Sequence, residues 1–311
     1  MIQALRGRRT GTATFVGAIL VFLVIVNIFL NPARLALSGI GTTVGLVAPL
    51  LFATLATTPS ILSGGGGIDI SIGPMIGLLN VGMVQYLFNN GIDSPWAVLP
   101  VVLLAGIVLG GINGLLVVRV RLQPVVATLG TYLVFLGLAP WVMPQPAGSA
   151  PDWLIRLSDH MAVVPLLVVI AVWVVVRRMP LHRYLMAIGG SDKAAYSSGI
   201  NVAAVRWFAY ALGGAIAAIG ALVLTALISS GDPNIGPSLT LKAISAAVLG
   251  GVSLVGGKGG FLGAAVGALT IFMLELSLTA LGFSTFVLQM MFGVVLVLAV
   301  VFDTVAARRQ R

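Results

Sequence analysis

Few side chains in this sequence are able to do chemistry, and their spacing points away from catalysis. Eight acidic residues and two histidines are scattered through 311 positions. His160 and His182 fall in loops on opposite sides of the apolar segments, and no pair of carboxylates lies close in sequence. No Ser-His-Asp set and no metal-ligand spacing is present, so neither catalytic residues nor a metal site are expected. The absence of Cys removes disulfides, thiolate metal sites and thiol nucleophiles. The stretch GGVSLVGGKGG (250–260) approaches the phosphate-cradling pattern G-x-x-x-x-G-K-[ST]. It fails because Val252 stands where the first Gly belongs and Gly259 where the hydroxyl belongs. This chain is therefore not expected to hold ATP or Mg. If ATP drives the process it serves, the ATPase is another polypeptide.

Three other places carry polar or backbone features that need a reason. The first is SGGGGIDISIGP (63–74). Each Gly costs a helix about 1 kcal/mol against Ala, so four in a row break it. Broken backbone at membrane depth survives only where it is buried in protein or lines a wet cavity. Gly66, Gly67, Asp69 and Ser71 are candidates for a pathway or gate; a tight cytoplasmic turn is the alternative. The second is Glu275 in FMLELSL, followed by Ser277 and Thr279. A carboxylate at the bilayer centre costs at least about 2.5 kcal/mol and turns inward. It can line a path, pair with another helix or sit protonated.

The third is the segment 177–206. Gly189 and Gly190 end one short element, and Ser191 or Asp192 caps the next. Lys193, Ala194 and Ala195 fill its first turn, and Gly199 ends it. A short helix bracketed by turns reads either as an ordinary solvated loop or as a docking element for a soluble partner.

The elements that hold these features must be membrane helices. Apolar residues make up 59% of the chain and charged residues only 8%, too few to cover a water-facing surface. Hydropathy gives ten candidate helices, near 12–30, 40–59, 72–88, 97–118, 124–143, 161–176, 207–229, 239–255, 261–281 and 285–302. Apolar runs of about 20 residues fit helical spans and exclude a β-barrel. The expected fold is an all-α polytopic transmembrane helical bundle of about ten spans, a single membrane domain over 1–311. The basic start followed by Ala13–Leu30 resembles a signal peptide. Its apolar run is too long and no small-residue cleavage pattern follows, so a retained first helix is expected.

With the N-terminus inside, 14 of the 17 Lys and Arg residues fall on inside segments, and only Arg34, Arg156 and Lys242 fall outside. That asymmetry predicts both termini in the cytoplasm. It also accounts for the net charge of +9, so no nucleic-acid partner is expected. Isolated glycines such as Gly110, Gly111, Gly213 and Gly214 read as close helix packing.

Taken together, four stretches resemble one family. GGIDISIGPMIGL (66–78), INGLLVVRVRLQPVVATLGT (112–131), AIGGSDKAAYSSGI (187–200) and AVLGGVSLVGGKGGFLGAAVGAL (247–269) are similar to the signatures of ribose-type permeases of bacterial ABC sugar importers. The resemblance extends from about Val44 to Asp303. It implies a permease in the bacterial inner membrane that passes a monosaccharide-like solute by alternating access. It implies a second permease copy or paralogue, and two cytoplasmic ATPases carrying ATP and Mg. An extracytoplasmic solute-binding protein delivers the solute. It makes 177–206 the ATPase-contact loop.

Three features depart from the family's pattern. TLKAI places Thr240 and Lys242 where acids are usual, Glu275 and Leu276 replace Asn residues, and Phe292 replaces a basic residue. They leave open a polyol, nucleoside or signalling sugar as the solute. An ion-coupled secondary transporter, with Asp69 and Glu275 as coupling carboxylates, is the alternative from another class.

Overall fold

In the computed structural model the described residues are 2–36, 39–158, 161 and 163–308; side chains are not described for 2–14, 296, 298–300 and 302–308. His160, Arg309 and Arg311 therefore lie outside the described residues. The described chain folds into α1 (Ile2–Leu30), α2 (Pro32–Leu35), α3 (Ile40–Leu62), α4 (Ile72–Tyr86), α5 (Pro95–Val118), α6 (Pro124–Val142) and α7 (Asp152–Ile155). It continues through α8 (Val163–Arg178), α9 (Pro180–Gly190), α10 (Asp192–Ser197), α11 (Val202–Ile228), α12 (Pro237–Leu249), α13 (Phe261–Ala280) and α14 (Thr285–Arg308). The only strand-like pairing among these residues is an isolated bridge between Ala147 and Gly231.

Local chemistry explains many of the boundaries. Pro occupies the first turn of α2, α5, α6, α9 and α12. Its missing N–H is no loss there and its φ is already helical. α12 stops at the Gly250–Gly251 pair, six residues before the limit hydropathy suggests, and Gly251 has a φ of +85°. α11 starts at Val202, five residues earlier than hydropathy places it. The reason is Asn201, whose side-chain oxygen accepts the Ala204 N–H at 3.0 Å as an N-cap.

Each of the ten apolar segments contains a helix. Five of these helices, α3, α5, α6, α11 and α13, are each long and apolar enough to cross a membrane. α3 and α11 form the centre, each with 78% of its most apolar window buried, against 39% for α5 and 28% for α6. The packing of α11 on α5 is close because Gly214 faces Gly106 and Gly110, where any methyl group would meet backbone. The small-residue expectation for Gly110 and Gly214 is thus realised. Gly213 likewise lies against the Ala56 carbonyl, and Gly111 against Trp207, whose indole donates to the Gly111 carbonyl at 3.0 Å.

Two apolar helices packed against the centre are too short to cross by themselves. α4 and α12, of 15 and 13 residues, extend about 22 and 20 Å, less than the roughly 30 Å of hydrocarbon. Irregular segments precede both. Residues 229–236 run alongside α4 from Asn80, whose amide holds the Ser230 carbonyl and the Asp232 N–H, back to Gly73 and Gly77, where Gly236 packs on backbone. α4 and α12 therefore begin next to each other inside the protein, with Thr240 buried against Gly73.

Candidate functional site: a helical hairpin, a glycine junction and two polar clusters

The segment 177–206 folds as a helical hairpin. α9 and α10 bury Leu185, Ile188 and Ala195 against Val205 and Ala209 of α11. Ser191 is the N-cap of α10, its hydroxyl accepting the Ala194 N–H at 3.3 Å, and Gly199 adopts a φ of +81° at the far end. Gly190, Ser191, Lys193, Ala194 and Gly199 are exposed, and Tyr196 is 76% exposed. A short helix seated on apolar contacts thus presents a cation and an aromatic ring outward.

One side chain ties this hairpin to the bundle. Arg206, in the second turn of α11, donates from one guanidinium nitrogen to both Asp192 carboxylate oxygens, at 2.7 and 3.0 Å. The same nitrogen donates to the Ser63 carbonyl at 3.1 Å. The sequence showed Arg206 only as one more inside charge. Its visible signal was position: a lone guanidinium entering a long apolar helix.

Next to Arg206 three glycine-rich strips of backbone meet. Gly64 lies against Gly189, and Gly256 lies against Gly64 and the Gly189 carbonyl. The Gly257 N–H donates to the Leu62 carbonyl at 3.1 Å. A methyl group on Gly189 would run into the Leu62 carbonyl and the Gly257 nitrogen. Gly64, Gly256 and Gly257 all have positive φ, which Gly adopts at no steric cost. The end of α3, the end of α9 and the α12–α13 loop are therefore in direct backbone contact.

Beyond this junction the chain enters the first polar cluster. Gly66 is exposed, and Gly67 is buried against the Ser60 carbonyl. Asp69 is 1% exposed. It accepts from the Ser71 N–H at 3.0 Å, the Ser71 hydroxyl at 2.7 Å and the Asn113 amide at 3.3 Å. The Asn113 amide also donates to the Ser71 hydroxyl at 2.7 Å, and the Thr131 hydroxyl donates to the Asn113 side-chain oxygen at 2.7 Å. Thr128 closes the set by donating to the Ile68 carbonyl at 3.1 Å. Every partner of Asp69 is a donor, so the arrangement suits a carboxylate and fastens the break before α4 to α5 and α6. Asn113 and Thr131 were quoted in the sequence only as parts of a motif. A lone Asn in a 24-residue apolar helix was the available sign.

Glu275, Ser277 and Thr279 do not share one surface. Ser277 is buried against α1, where its hydroxyl accepts from the Asn27 amide at 2.7 Å. Thr279 is exposed and bonds back to the Glu275 carbonyl. Glu275 faces α12, and its Oε1 lies 2.6 Å from Lys242 Nζ. The same ammonium sits 5.0 Å from the centre of the Phe292 ring. Lys242, Glu275 and Phe292 thus meet at one point, although they lie on three helices.

The sequence from 39 to 300 matches the family described as "Branched-chain amino acid transport system / permease component". The ribose import permease of Bacillus subtilis is 35% identical over 91% of this chain and 90% of its own length. The autoinducer 2 import system permease of Photorhabdus temperata is 30% identical over 98% and 95%. The fructose import permease of Rhizobium meliloti is 30% identical over 76% and 70%. No solved structure matches the chain. The chain therefore belongs to the ribose-type permease family, the multi-pass membrane components of binding-protein-dependent ABC importers, which are not themselves enzymes and work with separate ATPase and solute-binding components.

Proposed function

We propose that this chain translocates a monosaccharide-like solute, of the pentose or hexose class, into the cytoplasm by alternating access. It does so in the bacterial inner membrane, with ten crossings, those of α4 and α12 each completed by the irregular segment before the helix, and both termini cytoplasmic. Two permease chains, identical or paralogous, pair with two cytoplasmic ATPases that carry ATP and Mg. An extracytoplasmic binding protein delivers the solute. The charge asymmetry supports the orientation, and the ribose, fructose and autoinducer 2 permeases among the relatives support the solute class. A polyol, a nucleoside or a signalling sugar fits the same architecture.

One observation carries the mechanism. The exposed α9–α10 hairpin is joined to two breaks in the bundle by Arg206 and by glycine backbone. When nucleotide closes the ATPases, the hairpin moves as a body. Gly189 then displaces the turn before α4 at Gly64 and the α12–α13 loop at Gly257. Helices α4 and α12 lie at those breaks, so this is where the bundle can change which side it opens to. Gly66, Gly67, Asp69 and Ser71 form the turn that moves, with the Asp69 cluster as its anchor. An ion-coupled carrier would instead need a carboxylate free to trade a proton or cation. Asp69 is held by donors, and Glu275 is already paired.

Co-expression of the tagged chain with a neighbouring-gene ATPase, followed by mild-detergent purification and quantification of the chains, tests the assembly. Equal amounts of ATPase and total permease are expected. A lone chain that carries solute into liposomes under a proton or sodium gradient would overturn the proposal.

A further inference from the structure

The Lys242–Glu275 pair sits where hydrocarbon would be an unsuitable neighbour. The two side chains keep 19% and 28% of their surface exposed. The same helices expose Leu241 and Met290, at 55% and 63%. Glu275 is five residues from the end of α13, about 7.5 Å along the axis. Charges at such depth turn toward protein or toward water, because lipid offers no hydrogen-bond partner. Phe292 is 2% exposed and closes the apolar side of the ammonium. The exposed side of the pair therefore needs a wet or polar neighbour that the described residues do not supply.

The pair's chemistry narrows that neighbour. Among the described contacts Lys242 gives one N–H to Glu275, leaving two donors, and Glu275 Oε2 accepts nothing. The pair is neutral overall, so it offers donors and acceptors side by side with no net charge to trap an ion. Neighbouring hydroxyls of a polyol or sugar match that pattern. We infer that the flank of α12 to α14 bearing Lys242 and Glu275 lines the water-filled solute path and takes the hydroxyls of a neutral polyhydroxylated solute, discriminating against its acidic analogues. This rests on the importer assignment. It adds a selectivity contact made by Lys242 and Glu275 and backed by Phe292, three residues that depart from the family's pattern.

The chain contains no cysteine, so single cysteines can be labelled without background. Lys242→Cys and Glu275→Cys, in native membranes holding the full-length chain, are treated with a membrane-impermeant charged methanethiosulfonate. Leu133→Cys, on the exposed face of α6, is the lipid-facing control. Labelling at 242 and 275, with none at 133, is the expected result. Saturating D-ribose, D-fructose or ribitol should slow it, and D-ribonate should not. Reaction only with lipophilic maleimide, reaction with neither reagent, or protection by ribonate alone overturns the inference. So does labelling that no neutral probe slows. If breaking the pair lowers expression, Lys242→Cys/Glu275→Gln leaves no unpaired carboxylate and is read the same way. Failure of an ATPase to co-purify would count against the importer assignment alone, because labelling needs neither ATP nor turnover.

Discussion

Replacing Arg206 with methionine removes a side chain that hydrogen-bonds both the hairpin and the end of α3 while keeping an apolar stem of similar length. Two contributions are lost. The pair with Asp192 is half open to water on the carboxylate side, at 45% exposure, so it contributes no more than about 1 kcal/mol. The Ser63 carbonyl belongs to a fully buried residue, and stripping its donor costs about 1–3 kcal/mol. A total near 2 kcal/mol does not unfold a bundle of this size. It does shift the docked hairpin toward release by roughly thirty-fold. The assay is a reconstituted complex in liposomes, with ATP hydrolysis and solute uptake measured on the same preparation. Arg206→Met should hydrolyse ATP but deliver less solute per ATP. Amide exchange should quicken over 187–199. Asp192→Asn should do the same more weakly, since it leaves the Ser63 contact intact. An unchanged ratio of uptake to hydrolysis, with unchanged exchange, would refute the coupling role of Arg206.

Other outcomes follow from the same geometry. Gly189→Ala forces a methyl group into the Leu62 carbonyl and Gly257 and should lower stability by about 1–3 kcal/mol, read as a lower melting temperature. Gly66→Ala meets no atom within 4 Å and should cost only about 1 kcal/mol, for its φ of +74°. Asn113→Leu removes the amide that joins Asp69 to Thr131, and should expose the 63–71 turn to limited proteolysis, with Thr131→Val giving a milder form. His182 stacks edge-on against Trp173 at 5.3 Å, and burial first, then the Arg177 charge, hold its imidazole below its usual value. The folded protein thus resists a proton that the unfolded chain accepts. Stability is full above about pH 6.5 and falls as pH drops through the lowered folded value. His182→Phe should flatten the melting curve's dependence on pH between 7.5 and 5.5; an equal slope in both proteins would exclude His182 as its source.

The helices were legible because apolar runs record removal from water, whether the neighbour is protein, as for α3 and α11, or lies outside this chain, as for much of α5 and α6. The α10 helix of the hairpin was legible because Ser191 and Gly199 are local signals, each acting within four residues. Contacts across the bundle were not legible. Asp69 and Asn113 are 44 positions apart, and Lys242 and Glu275 are 33 apart. No periodicity links them. The unusual residues at 240–242, 275 and 292 were each visible alone, but only the fold shows that Lys242, Glu275 and Phe292 answer one another. Ser277 and Thr279 looked like companions of Glu275 by proximity. Helical rotation separates them, sending Ser277 to α1 and leaving Thr279 at the surface.

A joint made of backbone alone has no rotamers with which to give way. Where Gly64, Gly189 and Gly256 touch, no side chain can swing aside and absorb a displacement, so the contact has almost no compliance. It also holds no sequence-specific pocket that a particular partner must match. With the hairpin proposed as the ATPase contact, its outward face can diverge to suit different ATPases while the glycine joint beneath it stays the same. Hairpins exchanged between permeases should remain coupled as long as the glycines and Arg206 travel with them or already stand in the recipient.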